Sequence, residues 1–237
     1  RGITMIGNLI KLAGIVSVCG AAGPALAAAG DTFVRVRGIL VMPTETSSGI
    51  VPTYPTKKVK VNNSAMPEVD ITHMVSDHFG LELIAATTKH SASGVSGVTG
   101  GIGKLASTWV LPPTLTAQYH FTPEAKVRPY VGVGVNYTLF YSEKASSGLE
   151  AAVGKTSVHM KSSFGWAAQA GIDIDLNDRM FLNLDVKYLD IDTTARLSTT
   201  AIGVQNVKIS LDPVVFGVGL GVRLESLSRS SSLTGQA

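Results

Sequence analysis

The side chains of this chain best suited to proton transfer are five histidines: His73, His78, His90, His120 and His159. A hydrolytic site needs a hydroxyl or thiol within hydrogen-bond reach of such a base. His90-Ser91 and His120-Phe121-Thr122 set a base beside a hydroxyl in sequence. Neighbours in a strand, however, point to opposite faces. His120, at the end of a short turn, therefore reads as an interfacial side chain, and His90 as the start of a loop, placed to meet solutes. The sequence has no HExxH, no phosphate-cradling glycine loop and no Cys/His cluster, so no cofactor or metal is expected. Carboxylates offer a second chemistry. Asp173, Asp175, Asp185, Asp190 and Asp192 alternate with apolar residues, and Arg128, Arg179 and Lys187 offer them partners. A glycosidase-like pair is one reading. The simpler one is a network of ion pairs in an interior, where buried charges need partners. No catalytic residue is assigned, and the chain is not expected to be an enzyme.

The elements that carry these residues are strands. From Leu111 to Tyr141 the sequence reads as a hairpin with its turn at Thr122-Pro123-Glu124-Ala125-Lys126. Leu115, Ala117, Tyr119 and Phe121 share one face of the first strand. Pro129, Val131, Val133, Val135, Tyr137, Leu139 and Tyr141 share one face of the second, with Arg128, Tyr130, Gly132, Gly134, Asn136 and Thr138 opposite. Alternation of this length is a two-faced strand pattern.

Similar strands are expected at Asp31–Met42, Pro67–Val75, Phe79–Thr88, Phe164–Leu176, Met180–Asp190 and Val207–Leu224, making eight. Short turns follow the second, fourth and sixth. Long connections follow the others: Pro43–Ala65, His90–Thr108, Ser142–Lys161, with a helical piece around Leu149–Val153, and about Thr193–Asn206. This alternation of short and long connections is the signature of an outer-membrane barrel. The fold class is all-β: an eight-stranded antiparallel transmembrane β-barrel with short periplasmic turns and long extracellular loops. A soluble barrel would turn the apolar faces inward around a ligand. Tyr119, Tyr137, Tyr141 and Tyr188 at the ends of those faces favour lipid outside, since aromatic residues gather at membrane interfaces.

The first thirty residues are a different text. Arg1 and Lys11 precede the apolar run Leu12–Cys19, and small residues at A-x-A spacing follow in Pro24–Ala29. Residues 1–29 are expected to be a secretory signal peptide, cleaved after Ala27 or Ala29. Cys19, the one cysteine, falls within it, and Val18 before it is too large for a lipoprotein site. No thiol or disulfide is then expected beyond the leader. Without Arg1 and Lys11 the net charge drops from +3 to +1, and no basic block suggests nucleic acid. Residues 31–224 are expected to form the barrel, and 225–237 a Ser-rich tail.

The strings LPPTLTAQYHF, RPYVGVGVNYT, GWAAQAGID, YLDIDTTA, FGLELIAAT and LDPVVFGVGLGVR resemble the outer membrane protein W family of Gram-negative bacteria, from about Val34 to Arg223. The resemblance implies an outer-membrane location and an eight-stranded barrel with a narrow, partly hydrophobic interior. It also implies passage of small, largely apolar molecules, or a receptor role for phage or bacteriocins. That family ends its last strand on an aromatic residue read by the barrel-assembly machinery, an expected partner along with outer-membrane lipid; here Leu224 takes that place.

Alternation assigns Arg35, Arg37, Glu82, Ile84, Arg128, Gln169, Asp173, Asp185, Lys187 and Arg223 to the lumen, with Phe33, Ile39 and Phe181. An interior this narrow is filled by side chains. The expected function is a passive channel or binding site for small hydrophobic molecules, entering at the loop rim and leaving sideways into lipid above a polar plug. A receptor or structural barrel without transport is the alternative, and a lipid-modifying barrel enzyme comes third.

Overall fold

The computed structural model describes residues 29–224. The expected leader and Ser-rich tail fall on residues outside the described ones, apart from Ala29. In chain order the elements begin with β1 (Thr32–Met42), β2 (Thr46–Ser47), β3 (Val59–Val61), β4 (Ser64–Met74), β5 (Phe79–Ala86) and β6 (Thr88–Gly94). Helix α1 (Gly97–Ile102) precedes β7 (Lys104–Leu111), β8 (Thr114–His120) and β9 (Val127–Ala145). Helix α2 (Ser147–Val153) precedes β10 (Thr156–Met160), β11 (Ser163–Asp175), β12 (Met180–Leu189), β13 (Asp192–Thr199), β14 (Gly203–Ser210) and β15 (Val214–Leu224). No described helix is long and apolar enough to cross a membrane.

Eight of these strands close on themselves. The ring runs β1-β4-β5-β8-β9-β11-β12-β15 and returns to β1, every pairing antiparallel. Closure leaves the ring of eight strands without an edge strand, which lipid demands. The period-two pattern then sorts side chains radially. Val133 and Phe164 are 67% and 71% exposed, whereas Phe33, Arg35 and Asp173 are fully buried. The apolar face therefore lies outside, against lipid, and not inward as in a soluble barrel.

Two aromatic girdles bound the apolar band. At the short-turn rim Tyr119 meets Phe79, Phe121 and His78, with ring centroids 5.1, 5.2 and 5.5 Å away. At the other rim Trp166 packs on Tyr188 at 5.0 Å and Trp109 on Tyr141 at 6.3 Å. Such girdles mark the two membrane interfaces.

Above the second girdle the structure departs from the sequence reading. The long connections are not loops but sheet. β5 continues into β6 and β8 is preceded by β7, so the wall rises beyond the membrane, with β3 on its edge. β13 and β14 rise likewise and carry β10 and β2 at their sides. The expected last strand from Val207 is split: Val207 belongs to β14, and β15 starts only at Val214. Alternating apolar residues are present here too, as in Val59/Val61, Ala195/Leu197 and Val207/Ile209. Ser, Thr and Gly between them gave a loop-like composition, although hydroxyls sit well on the wet face of a strand. The α2 helix falls where a helical piece was expected; Ser146 caps it by accepting from Leu149 N–H at 3.0 Å.

Inside the barrel, glycines make room for rings. Gly171 pairs with Tyr130 and Gly221 with Phe181 across adjacent strands. A Cβ on Gly221 would lie 2.2 Å from the Phe181 ring, and one on Gly171 2.4 Å from the Tyr130 phenol. Phe181 cannot retreat, because Phe33 sits 5.7 Å away and the Arg35 and Arg128 guanidiniums cover it at 5.5 and 5.4 Å. Gly221→Ala is expected to destabilise the barrel by about 1–3 kcal/mol through overpacking. Gly221→Ala with Phe181→Leu should recover part of that loss. Urea unfolding in lipid vesicles measures both, and an undiminished midpoint for the single variant would show that the ring has room to move.

Candidate functional site

The lumen is built in two storeys. The lower is ionic. On β1, alternate residues Phe33, Arg35, Arg37, Ile39 and Val41 point inward in ascending order from the short-turn rim. Arg35 holds the centre. Its Nη1 donates to Asp70 at 2.9 Å and to Thr72 Oγ1 at 2.6 Å, and its Nη2 to Asp173 at 3.0 Å. The rings of Phe33, Tyr130 and Phe181 stand 5.5–5.6 Å from its guanidinium carbon. Arg37, one inward step higher, forms ion pairs with Glu68 at 2.8 Å, Asp70 at 2.6 Å and Glu82 at 3.4 Å. Lys187 closes the top, donating to Glu68 at 2.7 Å and Asp185 at 2.6 Å.

Arg128 and Arg223 close the bottom, sharing Asp175 at 2.5 and 3.6 Å. Gln169 donates to Glu82 at 2.6 Å and to Thr116 at 3.0 Å. Five cations thus face six carboxylates in a network of two ion-pair clusters, Arg128–Asp175–Arg223 below and the rest above, bridged by the Phe33 and Phe181 rings, which meet guanidiniums of both. Every one of these charges is held by partners on other strands, as burial requires. The buried network occupies the barrel's cross-section, as an interior of eight strands requires.

Of the ten residues assigned to the lumen, nine belong to this network. Ile84 does not; it lies in the apolar storey above. Sequence reasoning missed several members: Glu68, Asp70, Thr72, Thr116, Tyr130 and Asn183. The signal was present for all of them: Glu68, Asp70 and Thr72 alternate with Val69 and Ile71 on β4, Thr116 with Leu115 and Ala117 on β8, and Tyr130 and Asn183 share the faces of Arg128 and Asp185. Asn183 joins three strands, donating to Tyr130 at 3.1 Å and Asp173 at 2.8 Å and accepting from Arg37 at 3.0 Å. Asp190 and Asp192 lie outside the network. Arg179 gives it only a backbone carbonyl, which accepts from Arg223 N–H at 2.8 Å.

His120 corrects the interfacial reading. It is fully buried, 3.1 Å from Gln118 Oε1, with its ring against Phe33 and Tyr130 at 6.3 and 5.3 Å. Its strand register points it inward, while its neighbours Tyr119 and Phe121 take the interface.

The upper storey is apolar. A lower chamber of about 40 Å³ rests on the Glu68–Lys187 pair and is walled by Ile39, Val41, Ile84, Leu189 and Val215. An upper chamber of about 70 Å³ lies between the raised sheets, among Ile50, Val61, Leu105, Phe140, Ala195 and Ile209. His90, Val110 and Leu211 line both and form the neck between them. His90 is therefore a buried strand residue of β6 and not the beginning of a loop. Its Nδ1 lies 2.9 Å from the Asn62 carbonyl and its Nε2 3.0 Å from Thr88 Oγ1.

Burial lowers the His90 pKa below the usual imidazole value, only partly opposed by the Asn62 carbonyl. The folded state therefore resists a proton that the unfolded chain accepts. His90 contributes full stability above about pH 6.5, its unfolded value, and loses it as pH falls from there toward the folded value. His90→Gln should flatten the fall in the urea midpoint between pH 7.5 and 5; identical pH profiles for both proteins would refute that role.

The wall beside the lower chamber is incompletely paired. β5 pairs with β8 up to Ile84↔Thr114, and β6 with β7 from Thr88↔Val110. Between these points the facing strand carries Pro112 and Pro113, which have no N–H to donate. On the other side, β4 and β5 pair only to Glu68↔Ala86, and β3 takes over at Val61↔Ala92. Ala86, Thr88, Pro112 and Thr114 at this interruption line the lower chamber.

Known proteins share this architecture. Outer membrane protein W of Salmonella typhimurium is 38% identical over 197 residues, covering 82% of this chain and 89% of that one. The crystal structure of OprG from Pseudomonas aeruginosa superposes with a TM-score of 0.80 at 30% identity, covering 86% of this chain and all of the other. The NMR structure of the E. coli outer membrane protein W gives a TM-score of 0.54 at 34% identity, over 83% and 99% of the two chains. The OmpW family model matches residues 28–224. With its closed barrel, lipid-facing apolar band and these relatives, the chain belongs to the OmpW family and is an integral outer-membrane protein of the Gram-negative type.

Proposed function

We propose that this barrel is a passive conduit or binding site for small, largely hydrophobic molecules, without an enzymatic step. One observation supports it above the others: the apolar chambers end on a closed ionic floor. A solute that enters from the raised sheets cannot continue down the axis without displacing the buried ion pairs. The sideways path through the unpaired wall at Ala85–Thr87 and Leu111–Pro113 crosses no ladder hydrogen bond and opens on lipid. The chambers are small beside ordinary ligand pockets. Passage of even a ring-sized solute therefore needs the wall or the lining side chains to move. The barrel-assembly machinery is the partner proposed for its insertion.

Flux into proteoliposomes tests this reading. An apolar reporter should enter faster than into empty liposomes, while a sugar of similar size should not. Equal rates for the apolar reporter with and without protein would rule out the conduit.

A further inference from the structure

The outward face of the raised sheet β10-β13-β14-β2 is unlike the lipid-facing wall below it. Its inward residues Ala195, Val207 and Ile209 are buried in the apolar core between the sheets. Its outward face around Lys161, Thr194 and Lys208 is polar. Lys161 N–H donates to the Thr194 carbonyl at 3.2 Å, Thr194 pairs with Lys208, Ser48 N–H donates to the Lys208 carbonyl at 2.9 Å, and Lys208 N–H donates to Ser48 Oγ at 3.0 Å. Lys161, Thr194, Lys208 and Ser48 thus form one transverse row. Two strand spacings set the lysine backbones roughly 10 Å apart. A groove of about 570 Å³ runs along this row. Asp192 is the one carboxylate lining it, and it is occupied by a hydrogen bond from Ser210. Among the described residues neither lysine has an ion pair.

Position and charge indicate what such a groove meets. Lys161 is three residues from Phe164 of the lipid-facing band, roughly 10 Å of extended chain. The groove is therefore continuous with the membrane surface at the headgroup level. The segments above the outer girdle, 43–63, 87–108, 141–161 and 190–213, carry ten lysines and arginines against six carboxylates. The remainder of the described chain has an excess of acid. Basic groups flanking a membrane attract anionic headgroups. Two lysines whose backbones stand roughly 10 Å apart on one groove, with Thr194 between them, suit a phosphate on a sugar.

We propose that the Lys161–Lys208 groove binds the phosphorylated saccharide headgroup of an outer-leaflet lipid, lipopolysaccharide, as a fixed annular site. The protein in nanodiscs, titrated with fluorescent lipopolysaccharide, tests it. The double variant Lys161→Gln/Lys208→Gln should bind at least tenfold more weakly, and Lys126→Gln at the short-turn rim should bind as wild type. Enzymatically dephosphorylated lipopolysaccharide should lose the same factor on the wild-type protein, and binding should weaken as salt rises. Undiminished binding by the double variant overturns the proposal. So does equal competition by millimolar inorganic phosphate, which would assign the groove to free phosphate. Retained gel mobility of the unheated variant shows that its barrel still forms. Its apolar flux should equal wild type, since neither lysine lines a chamber.

Discussion

Arg35→Ala is expected to cost about 3–5 kcal/mol of barrel stability, because it strands buried carboxylates rather than merely removing a bond. Asp70 and Asp173 lose the guanidinium at 2.9 and 3.0 Å, and three aromatic rings lose the cation they surround. Arg37 still reaches Asp70, but among the described residues no other cation is paired with Asp173. The space vacated in the plug lies on the barrel axis, so single-channel conductance should rise above the closed wild-type level. The urea midpoint in vesicles gives the first effect and planar-bilayer recording the second. Pairing Arg35→Met with Asp173→Asn should restore much of the stability, since removing both charges spares the desolvation of either. If the single variant unfolds like the wild type, the network is not what holds the floor together.

Filling the chambers should have the opposite signature: lost flux with a retained barrel. Ala195 points from β13 into the upper chamber and Ile84 from β5 into the lower one. Ala195→Trp and Ile84→Trp each add a ring to a space of about 70 or 40 Å³. Overpacking costs about 1–3 kcal/mol, while apolar flux in proteoliposomes should fall at least about tenfold. Ala151→Trp, on the exposed side of α2, is the control and should leave flux unchanged. A normal flux in both chamber variants would place the solute path elsewhere and refute the conduit. Because the plug variant and the chamber variants report on different storeys, their outcomes separate axial ion leakage from lateral solute passage.

Much of the barrel is legible along the chain. In β9, Val131, Val133 and Val135 alternate with Gly132, Gly134 and Asn136, and this pattern alone assigns the faces. The same holds for Arg35 and Arg37 against Val34 and Val36. The raised sheets were not legible, because in 43–65 or 142–161 the apolar residues are sparse and the hydroxyl-rich remainder resembles loop. Their strands are held by pairing with distant segments, such as Ser47 with Ile209, which no local pattern reports. His120 differs for a related reason: its place at the end of a strand suggests an interface, whereas closure turns that face toward Phe33 on β1.

Of the residues that first suggested chemistry, Asp173, Asp175 and Asp185 are ion-paired inside the closed barrel, and His90 and His120 are buried. The sequence by itself determined the strand period, the number of barrel strands, the side that faces lipid and which charges must hide inside. Each is a local property, because alternation is set by backbone geometry over two residues. Only the tertiary structure decided which charge meets which, that the long connections stack into a second, apolar storey, and where the wall lacks hydrogen bonds. Arg35 finds Asp70 across 35 residues and Asp173 across 138. Those partnerships depend on the register of strands around a closed barrel, a constraint that exists only when all eight are in place.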